Sequence, residues 1–427
     1  MDINAKSNLA RGARAMQRLD RLAEFSEEPG KITRPYLTPS HRRAAEEVKS
    51  WMAEAGLSPC IDALGTVTGR IEGRAPGLPA LILASHIDSV RDAGRYDGNL
   101  GVVLAIQAAE ELKDAAGELP FAIEVHAYGD EEGLRFPSTL SSSNAVAGKF
   151  DMAWLDRAGT DGATMREALL GFGGDPAGIA RIARKPSDIA GYFEVHIEQG
   201  PQLDAAGLPL GVVTGTNGAT RMKVSVTGEA GHAGTVPMNL RRDALAAAAE
   251  MVLAVETAGK RNEGLVATVG VISAGPGAIN VIPGEAAFTI DLRGPRDGQR
   301  RMAATALEDE IERIAAARGI SVAILKTYEY PACPFSAEIM DACEAAIASV
   351  GAKPMRLASG AGHDAMSFSG FCPLGMMFVR CLRGISHNPA ESITAEDCDL
   401  AQRALVSFVR EFARRADAAR RDAKPAA

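Results

Sequence analysis

The chain has 427 residues and a formal net charge of −8, with 46% hydrophobic and 23% charged residues. This length favours two domains, and a chain of this size buries enough apolar surface to fold without disulfides or a structural metal. The acidic balance argues against a nucleic-acid partner, and the lack of a long apolar run argues against a signal peptide or a membrane span, so we expect a cytoplasmic protein with neither nucleic acid nor membrane as partner.

The first 200 residues alternate between patterns typical of strands and of helices. Short apolar runs predict strands, and amphipathic stretches predict helices. The predicted strands are residues 65–73, 80–84, 121–128 and 191–200, and the predicted helices are residues 8–25, 41–55 and 99–115. This alternation indicates an α/β domain with a mainly parallel sheet and helices on both of its faces.

Near Thr214 the pattern changes to longer strands with one polar face. The predicted strands of this part are 219–228, 265–273, 286–293 and 321–328, and the predicted helices are 239–258 and 297–316. This order predicts an inserted α+β sandwich domain at residues 214–328, with helices on one face of a largely antiparallel sheet. The first domain, residues 1–213 and 329–427, would be completed by helix 336–349, strand 374–379 and helix 395–415.

Histidine and carboxylate side chains follow several of the predicted strands. His86 lies at the end of one strand, and Asp97 lies eleven residues later, just before a helix. The carboxyl ends of parallel strands meet at one edge of a sheet, where open α/β sheets place their sites. The residues with this kind of placement are His86, Asp97, Glu131, Glu132, His196 and His387.

Three histidines and two or three carboxylates at strand ends fit a two-metal hydrolytic centre in which one carboxylate bridges the ions. Imidazole and carboxylate ligands suit Zn²⁺ or Mn²⁺. Asp88, two residues after His86 and on the same strand face, could orient that imidazole. Each residue alone is more often a structural histidine or a solvated carboxylate. Their joint occurrence at strand-to-loop junctions favours the metal centre.

Other residues have simpler interpretations. His126 lies within a strand and is expected in the core or behind the site, and His41 begins a helix and is expected at the surface. Ser359, His363 and Asp364 suggest a catalytic triad, but no GxSxG turn surrounds the serine, and residues so close in sequence rarely adopt that geometry. The six cysteines have no CxxC spacing and are expected to be reduced.

Several motifs together resemble the M20-type metal-dependent amidohydrolases. The resemblance runs in order from about residue 80 to 395, and it is strongest to the branch that contains allantoate amidohydrolase, N-carbamoyl-L-amino-acid hydrolase and β-ureidopropionase. The histidine of HIEQGP separates this branch from the peptidases, which usually have an acidic ligand at that position. The motifs are SHIDSVRDAGRYDGNLG, GDEEGLRFPSTLSSSNAVAG, EVHIEQGPQL, TGEAGHAGTVPMNLRRDAL, INVIPG, IDLR, SGAGHDAM and GISHNPAE.

The resemblance implies two divalent metal ions, Mn²⁺ or Zn²⁺, in each subunit. Glu131 would be the general base that takes a proton from the attacking water. Asp97 would bridge the two ions. The remaining ligands would be His86 and His196 on one ion, and Glu132 and His387 on the other.

The resemblance also implies that the inserted domain is a lid and a dimerisation domain. His232 would reach the site of the partner subunit and stabilise the developing oxyanion. Asn280 and Arg293 would come from the lid, and Arg293 would clamp a substrate carboxylate bidentately. The rest of the pocket would be lined by Gln199, Ser359, Gly360 and His363.

We therefore expect a homodimeric amidohydrolase that cleaves a C–N bond of a small ureido acid. The segments DAGRYDG, DEEGLRFPST and GISHNPAE resemble allantoate amidohydrolases most, which implies allantoate as substrate and ammonia, CO₂ and ureidoglycine or ureidoglycolate as products. An N-carbamoyl-L-amino acid is the alternative substrate. A di-zinc dipeptidase is opposed by His196 and the Arg293 clamp, and a non-catalytic dimeric ligand-binding scaffold is opposed by the complete set of expected ligands.

Overall fold

The computed structural model describes residues 3–422, and the chain forms two compact units. The first unit consists of the chain up to Thr214 together with the chain from Phe335 onwards, and the second unit is Gly215–Pro334. The second unit ends later than the predicted boundary at residue 328. The reason is that its last long strand continues to Tyr330 and a short strand follows it.

The first part of the chain alternates strands and helices. Its strands are β1 (Ser58–Ile61), β2 (Val67–Ile71), β3 (Ala80–His86), β4 (Ala122–Tyr128), β5 (Ile189–Ile197) and β6 (Leu210–Thr216). Its helices are α1 (Ile3–Ala23), α2 (Pro39–Glu54), α3 (Asn99–Leu112), α4 (Ser141–Val146), α5 (Met165–Phe172) and α6 (Gln202–Ala206). Strands β3 and β4 are buried along their whole length, as continuous apolar runs predict for strands covered on both faces.

The second unit contains its own antiparallel sheet. Its strands are β7 (Gly218–Thr227), β8 (Gly231–His232), β9 (Val266–Thr268), β10 (Ile272–Gly275), β11 (Val281–Ile282), β12 (Glu285–Gly294) and β13 (Ser321–Tyr330), and its helices are α7 (Ala244–Arg261) and α8 (Asp297–Ala317). The strand order is β10-β12-β7-β13, with β9 on β12. Buried residues alternate along β12, and this inner face packs with α7 and α8 into a separate core.

After the short strand β14 (Cys333–Pro334) the chain returns to the first unit. The returning elements are α9 (Ala337–Ser349), β15 (Arg356–Ser359), β16 (Leu374–Val379) and α10 (Ala395–Asp422). The main sheet has the order β1-β2-β4-β3-β5-β16-β6-β14, with β15 on β6. The central strands β4, β3, β5 and β16 are parallel, whereas β1, β2 and β6 pair antiparallel. The predicted α/β class with a largely parallel central sheet is confirmed.

Some predicted elements have other limits. The single strand predicted at 265–273 is two short strands, β9 and β10, which both pair with β12. The helix predicted from residue 239 begins only at Ala244, because Oδ1 of Asp243 accepts the N–H of Ala246 at 3.0 Å and caps the helix there. Among the described helices, none is long and apolar enough to cross a membrane.

The prediction of a surface position for His41 is wrong. The side chain is fully buried at the start of α2, and its ring stacks on Phe172 with 5.2 Å between the ring centroids. Burial lowers the pKa of His41 to about 4, so the imidazole is neutral. His126 is buried within β4, as predicted.

Candidate metal centre

The predicted ligands of the first unit gather around one carboxylate, that of Asp97. Its Oδ1 lies 3.1 Å from Nε2 of His196 and 3.5 Å from Nε2 of His86. Its Oδ2 lies 3.1 Å from Nε2 of His387, which is also 3.5 Å from Oε2 of Glu132. The donor atoms thus form two sets that share Asp97, which is the arrangement that a bridging carboxylate requires.

The end of β3 and the start of α3 bring His86 and Asp97 together. His86 is the last residue of β3, and Asp97 lies at the end of the loop that leads to α3. Gly98 has a φ of +65°, and a Cβ at this position would lie 2.4 Å from Cε1 of His86. Only glycine satisfies both the backbone conformation and this close approach of the imidazole.

The two buried histidines turn Nε2 towards Asp97 because the backbone holds Nδ1. Nδ1 of His196 donates to the carbonyl oxygen of Ile197 at 2.8 Å, and Nδ1 of His86 donates to the carbonyl oxygen of Asp88 at 3.1 Å. A carbonyl oxygen only accepts, so the hydrogen of a neutral ring lies on Nδ1. Each Nε2 then presents a lone pair to an oxygen of the Asp97 carboxylate, which also carries lone pairs. A positive charge between the nitrogen and the oxygen, either a proton or a metal ion, is needed to hold the two atoms together.

Asp88 also positions the adjacent glutamates. Its Oδ1 accepts the N–H of Glu131 at 3.3 Å, and its Oδ2 accepts the N–H of Glu132 at 3.2 Å. Its Oδ1 lies 3.6 Å from Nδ1 of His86, so the carbonyl oxygen rather than the carboxylate is the nearer partner of that imidazole. The two glutamates form a third donor group with His86. Oε1 of Glu132 is buried without a hydrogen-bond partner among the described residues, as suits a metal ligand.

Burial and repulsion between carboxylates set the charge of the cluster. Burial raises the pKa of Glu131 well above its ordinary value, and the charge of Glu132 adds to this effect. Burial and the charge of Asp97 raise the pKa of Glu132 to about 7. Burial also acts to raise the pKa of Asp97, but hydrogen bonds with His196 and His387 outweigh it and hold that pKa well below its ordinary value. The hydrogen bond with Asp97 raises the pKa of His387 to about 9.

This donor set fits two divalent cations. Each set combines imidazole nitrogen with carboxylate oxygen, the mixture that suits Mn²⁺ and Zn²⁺. The set with His86 and His196 is buried, whereas the His387 side chain is 49% exposed. The second position is therefore the one that solvent reaches.

Ser386 and Glu391, which were not predicted from the sequence, also contact Asp97. Oε1 of Glu391 accepts the N–H groups of Tyr96 at 2.7 Å and of Asp97 at 3.1 Å. Oγ of Ser386 lies 3.1 Å from both Oδ2 of Asp97 and Oε2 of Glu391. Gln199, predicted to bind substrate, donates from Nε2 to Oδ2 of Asp97 at 2.8 Å. The sequence signal that could have identified Ser386 and Glu391 is their position in the motif GISHNPAE, which also contains His387.

The backbone is strained at this site. Of the seven non-glycine residues with positive φ in the described chain, three belong to it: Asp130, Gln199 and His387. The carboxylate of Asp130 is held by the hydroxyl groups of Ser138 and Ser141. Such conformations persist only where the surrounding contacts impose them, and they are concentrated at functional loops.

The loop after β15 lies behind His196. Ser359 and His363 are each 1% exposed, whereas Gly360 is exposed. The His363 ring packs on the His196 ring with 4.6 Å between centroids. Oγ of Ser359 lies 2.8 Å from Nε2 of His363, but the carboxylate of Asp364 makes no hydrogen bond to that histidine. The structure therefore contains a serine–histidine contact without the third member of a triad.

His232 and Asn280 are neighbours within the second unit. His232 in β8 pairs with Val281 in β11, and the N–H of Ala233 donates to the carbonyl oxygen of Asn280 at 2.9 Å. Both residues are exposed in the chain. Nδ1 of His232 accepts the N–H of Gly234 at 3.0 Å, which places the ring hydrogen on Nε2.

Arg293 lies apart from these two residues. Its Nε and Nη2 donate to the two carboxylate oxygens of Asp291 at 2.9 Å and 3.0 Å. It is near the end of β12, whereas β11, which pairs with β8, ends at Ile282, three residues before β12 begins at Glu285. At about 3.3 Å per residue, roughly 26 Å of strand separates Glu285 from Arg293.

An α/β sheet whose strand ends present two histidine–carboxylate sets around one aspartate is typical of hydrolases with a dinuclear metal centre. The sequence profile of peptidase family M20/M25/M40 matches residues 82–411. The chain belongs to this family.

Individual relatives agree with this assignment. The chain is 38% identical to the N-carbamoyl-L-amino acid amidohydrolase of Geobacillus stearothermophilus, with 95% of this chain and 99% of the relative covered. It is 38% identical to the allantoate deiminase of Arabidopsis thaliana, with 92% and 81% covered. A crystal structure of a hydantoinase/carbamoylase-family amidase from Burkholderia multivorans has 33% identity and a TM-score of 0.88, with 94% and 98% covered. The predicted family and enzyme class, a hydrolase of C–N bonds other than peptide bonds, are confirmed.

Proposed function

We propose that the chain is a metal-dependent amidohydrolase that cleaves a C–N bond of a small ureido acid, with allantoate as the preferred substrate. The main observation behind the proposal is that the two carboxylate oxygens of Asp97 belong to two different ligand sets. Glu131 lies next to these sets, in a donor group with His86 and Glu132. The names of the two curated relatives support a ureido acid as substrate. Mn²⁺ or Zn²⁺ as the metal, a homodimer and a cytoplasmic location are parts of this proposal.

The residues of the first unit supply ligands and a base. When held by the two ligand sets, the ions would polarise the ureido carbonyl and lower the pKa of water. Glu131 takes a proton from the water that attacks the carbonyl carbon and passes it to the nitrogen that leaves. The C–N bond breaks, and the carbamic acid that results decomposes to ammonia and CO₂. From allantoate the amine product is ureidoglycine, which can go on to ureidoglycolate.

His232 is suited to stabilise the negative charge that develops on the carbonyl oxygen. Because its Nδ1 accepts the N–H of Gly234, its Nε2 carries the hydrogen and can donate it to that oxygen. Asn280, its neighbour across the β8–β11 pair, can offer a second polar contact from the same end of the unit.

The second unit by itself supports a dimer. His232 and Asn280 lie at one end of β12 and Arg293 lies at the other, and the roughly 26 Å between these ends exceeds the length of a small ureido acid. This separation supports a twofold dimer in which two copies of the unit serve one substrate molecule, with Arg293 from one subunit and the other two residues from its partner.

Arg293→Lys is expected to raise KM for ureido acids about 10- to 100-fold with a smaller change in kcat. A lysine is a point charge and cannot bind a carboxylate through two parallel hydrogen bonds. Steady-state kinetics measure both constants.

The matched control is Arg221→Lys. Arg221 also donates from Nε to Asp291, at 3.2 Å on the neighbouring strand β7, but it has no role assigned towards substrate. Its KM should remain that of the unchanged protein. An unchanged KM in Arg293→Lys, or an equal increase in both variants, would remove Arg293 as the clamp.

The substrate is tested by ammonia release from the Mn²⁺-loaded protein, with allantoate and a panel of N-carbamoyl-L-amino acids compared side by side. The highest kcat/KM is expected for allantoate. A preference for a carbamoyl amino acid would keep the site and change the substrate, and this alternative is favoured by the nearly complete coverage of the Geobacillus relative. If no ureido acid is hydrolysed, the proposed function is wrong.

A further inference from the structure

Arg34 lies in the loop before α2, and its guanidinium is completely buried. It donates from Nη1 to the carbonyl oxygens of Leu22 at 2.6 Å and Phe25 at 3.0 Å, and from Nε to that of Ile87 at 2.5 Å. Its Nη2 donates to Oδ1 of Asn99 at 2.7 Å. All four acceptors are uncharged, so the charge is buried without a carboxylate in hydrogen-bond contact, an arrangement that costs free energy.

Two of these acceptors, Ile87 and Asn99, lie close in sequence to His86 and Asp97. Ile87 directly follows His86 at the end of β3. Asn99 begins α3, and its Nδ2 and backbone N–H both donate to the carbonyl oxygen of Asp97, at 3.1 Å and 2.7 Å. One planar guanidinium therefore connects the two ends of the loop between the strand and the helix.

The backbone of Arg34 is fixed to the same loop. Its N–H donates to Oγ of Ser89 at 2.9 Å, and its carbonyl oxygen accepts the N–H of Ser89 at 3.1 Å. Burial lowers the pKa of Arg34 to about 10, and the charge of Asp88, whose carboxylate accepts the N–H groups of Glu131 and Glu132, acts against this shift. Arg34 is thus hydrogen-bonded to the chain directly after His86 and, through Asn99, to Asp97. Asp88, in the first of these segments, holds the backbone of the two glutamates.

We propose that Arg34 is a positioning residue of the metal centre, which fixes the distance between His86 and Asp97 through the carbonyl oxygen of Ile87 and the side chain of Asn99. This inference rests on the proposed metal centre. A guanidinium is suited to the task because its donors lie in one plane at fixed angles, and the ammonium group of lysine cannot reach all four acceptors. Residues that orient metal ligands typically change metal affinity 10- to 100-fold when replaced.

The test compares Arg34→Lys with Arg300→Lys. Arg300 is the matched control because it is also fully buried, but in the second unit, where its Nε donates to Thr220 at 3.0 Å and its Nη1 to Asp297 at 2.5 Å. Both substitutions keep a buried positive charge and remove a guanidinium. Mn²⁺ binding is measured by the loss of the free-ion EPR signal at a temperature at which circular dichroism shows each protein folded, and the visible spectrum of the Co²⁺-loaded protein reports ligand geometry.

The expected result is Mn²⁺ binding at least about tenfold weaker in Arg34→Lys, with an altered Co²⁺ spectrum, and unchanged binding and spectrum in Arg300→Lys. Equal binding in Arg34→Lys and the unchanged protein would overturn the inference. So would equal losses in both variants, since they would reflect general destabilisation. Failure of the unchanged protein to bind two ions per chain would instead overturn the proposed function itself.

Asn99→Ala provides a second variant in case Arg34→Lys does not fold. It keeps the guanidinium and its three carbonyl partners, and it removes the side chain through which Nη2 of Arg34 is connected to the carbonyl oxygen of Asp97, while the backbone N–H of residue 99 still donates to that oxygen. It should also weaken Mn²⁺ binding, and its effect should be less than additive with that of Arg34→Lys where both fold, because the two residues act through one contact. Wild-type affinity in Asn99→Ala would contradict the proposed route.

Discussion

Glu131→Gln should lower kcat by about 10²- to 10⁴-fold while the protein still binds two metal ions per chain. Glutamine has nearly the same shape as glutamate, and its backbone N–H can still donate to Asp88. It cannot accept the proton of the attacking water, so only the chemical step is lost. Metal content by mass spectrometry and kcat with the preferred ureido acid provide the two readouts.

Substitution of the neighbouring Glu132 is expected to affect metal binding rather than the chemical step. Oε2 of Glu132 lies 3.5 Å from Nε2 of His387 in the set that shares Asp97, and an amide there is a much poorer ligand. Glu132→Gln should therefore bind fewer than two ions per chain. If Glu131→Gln retained full turnover, Glu131 would not be the base. If the two variants lost metal equally, the division of roles between them would be wrong.

The ligands could be predicted from the sequence because the fold enforces a simple rule. Parallel strands bring their carboxyl ends to one edge, so His86 at the end of β3 and His196 near the end of β5 had to approach each other. Asp97 precedes the helix that returns behind the sheet, and this placed it between them. Strand ends and spacing thus indicated these residues as candidates, the resemblance to the M20-type amidohydrolases implied their roles as ligands, and the observed distances around Asp97 are consistent with both.

The supporting residues could not be predicted in this way. Arg34 was not singled out from the sequence, because its burial results from segments that are distant in sequence, around Leu22, Ile87 and Asn99. Glu391 is one of several polar residues in a motif, and nothing in the sequence indicates that its carboxylate turns to the backbone of Asp97. Such contacts depend on packing rather than on local pattern.

Strand prediction failed where the local signal was short or interrupted. β1 has only four residues and contains Pro59, which an edge strand tolerates. β6 contains Gly211 and Gly215, which weaken the apparent strand preference. β15 is also four residues long. All three lie in the outer part of the sheet, so their omission left the prediction of the central strands unaffected.

The placement of His232 and Arg293 at opposite ends of β12 leads to the last prediction. Two inactive variants, Glu131→Gln and His232→Ala, should restore activity when they are combined in one dimer. In the mixed dimer, one site has the unchanged Glu131 of the His232→Ala chain and receives the unchanged His232 of the other chain. Each mixed dimer has one complete site of two, so the purified mixed dimer is expected to have about half of the original activity.

The experiment coexpresses the two chains with different affinity tags and measures ureido acid hydrolysis by the doubly purified dimer. The matched control pairs the His232→Ala chain with a chain that carries both substitutions, since no site in that dimer can be complete and no activity should return. If His232 served the site of its own subunit, the mixed dimer would also remain inactive, because each of its sites would lack one of the two residues. Restored activity therefore requires that His232 act across the dimer, as we propose from the resemblance to the M20-type amidohydrolases together with its separation from Arg293 along β12.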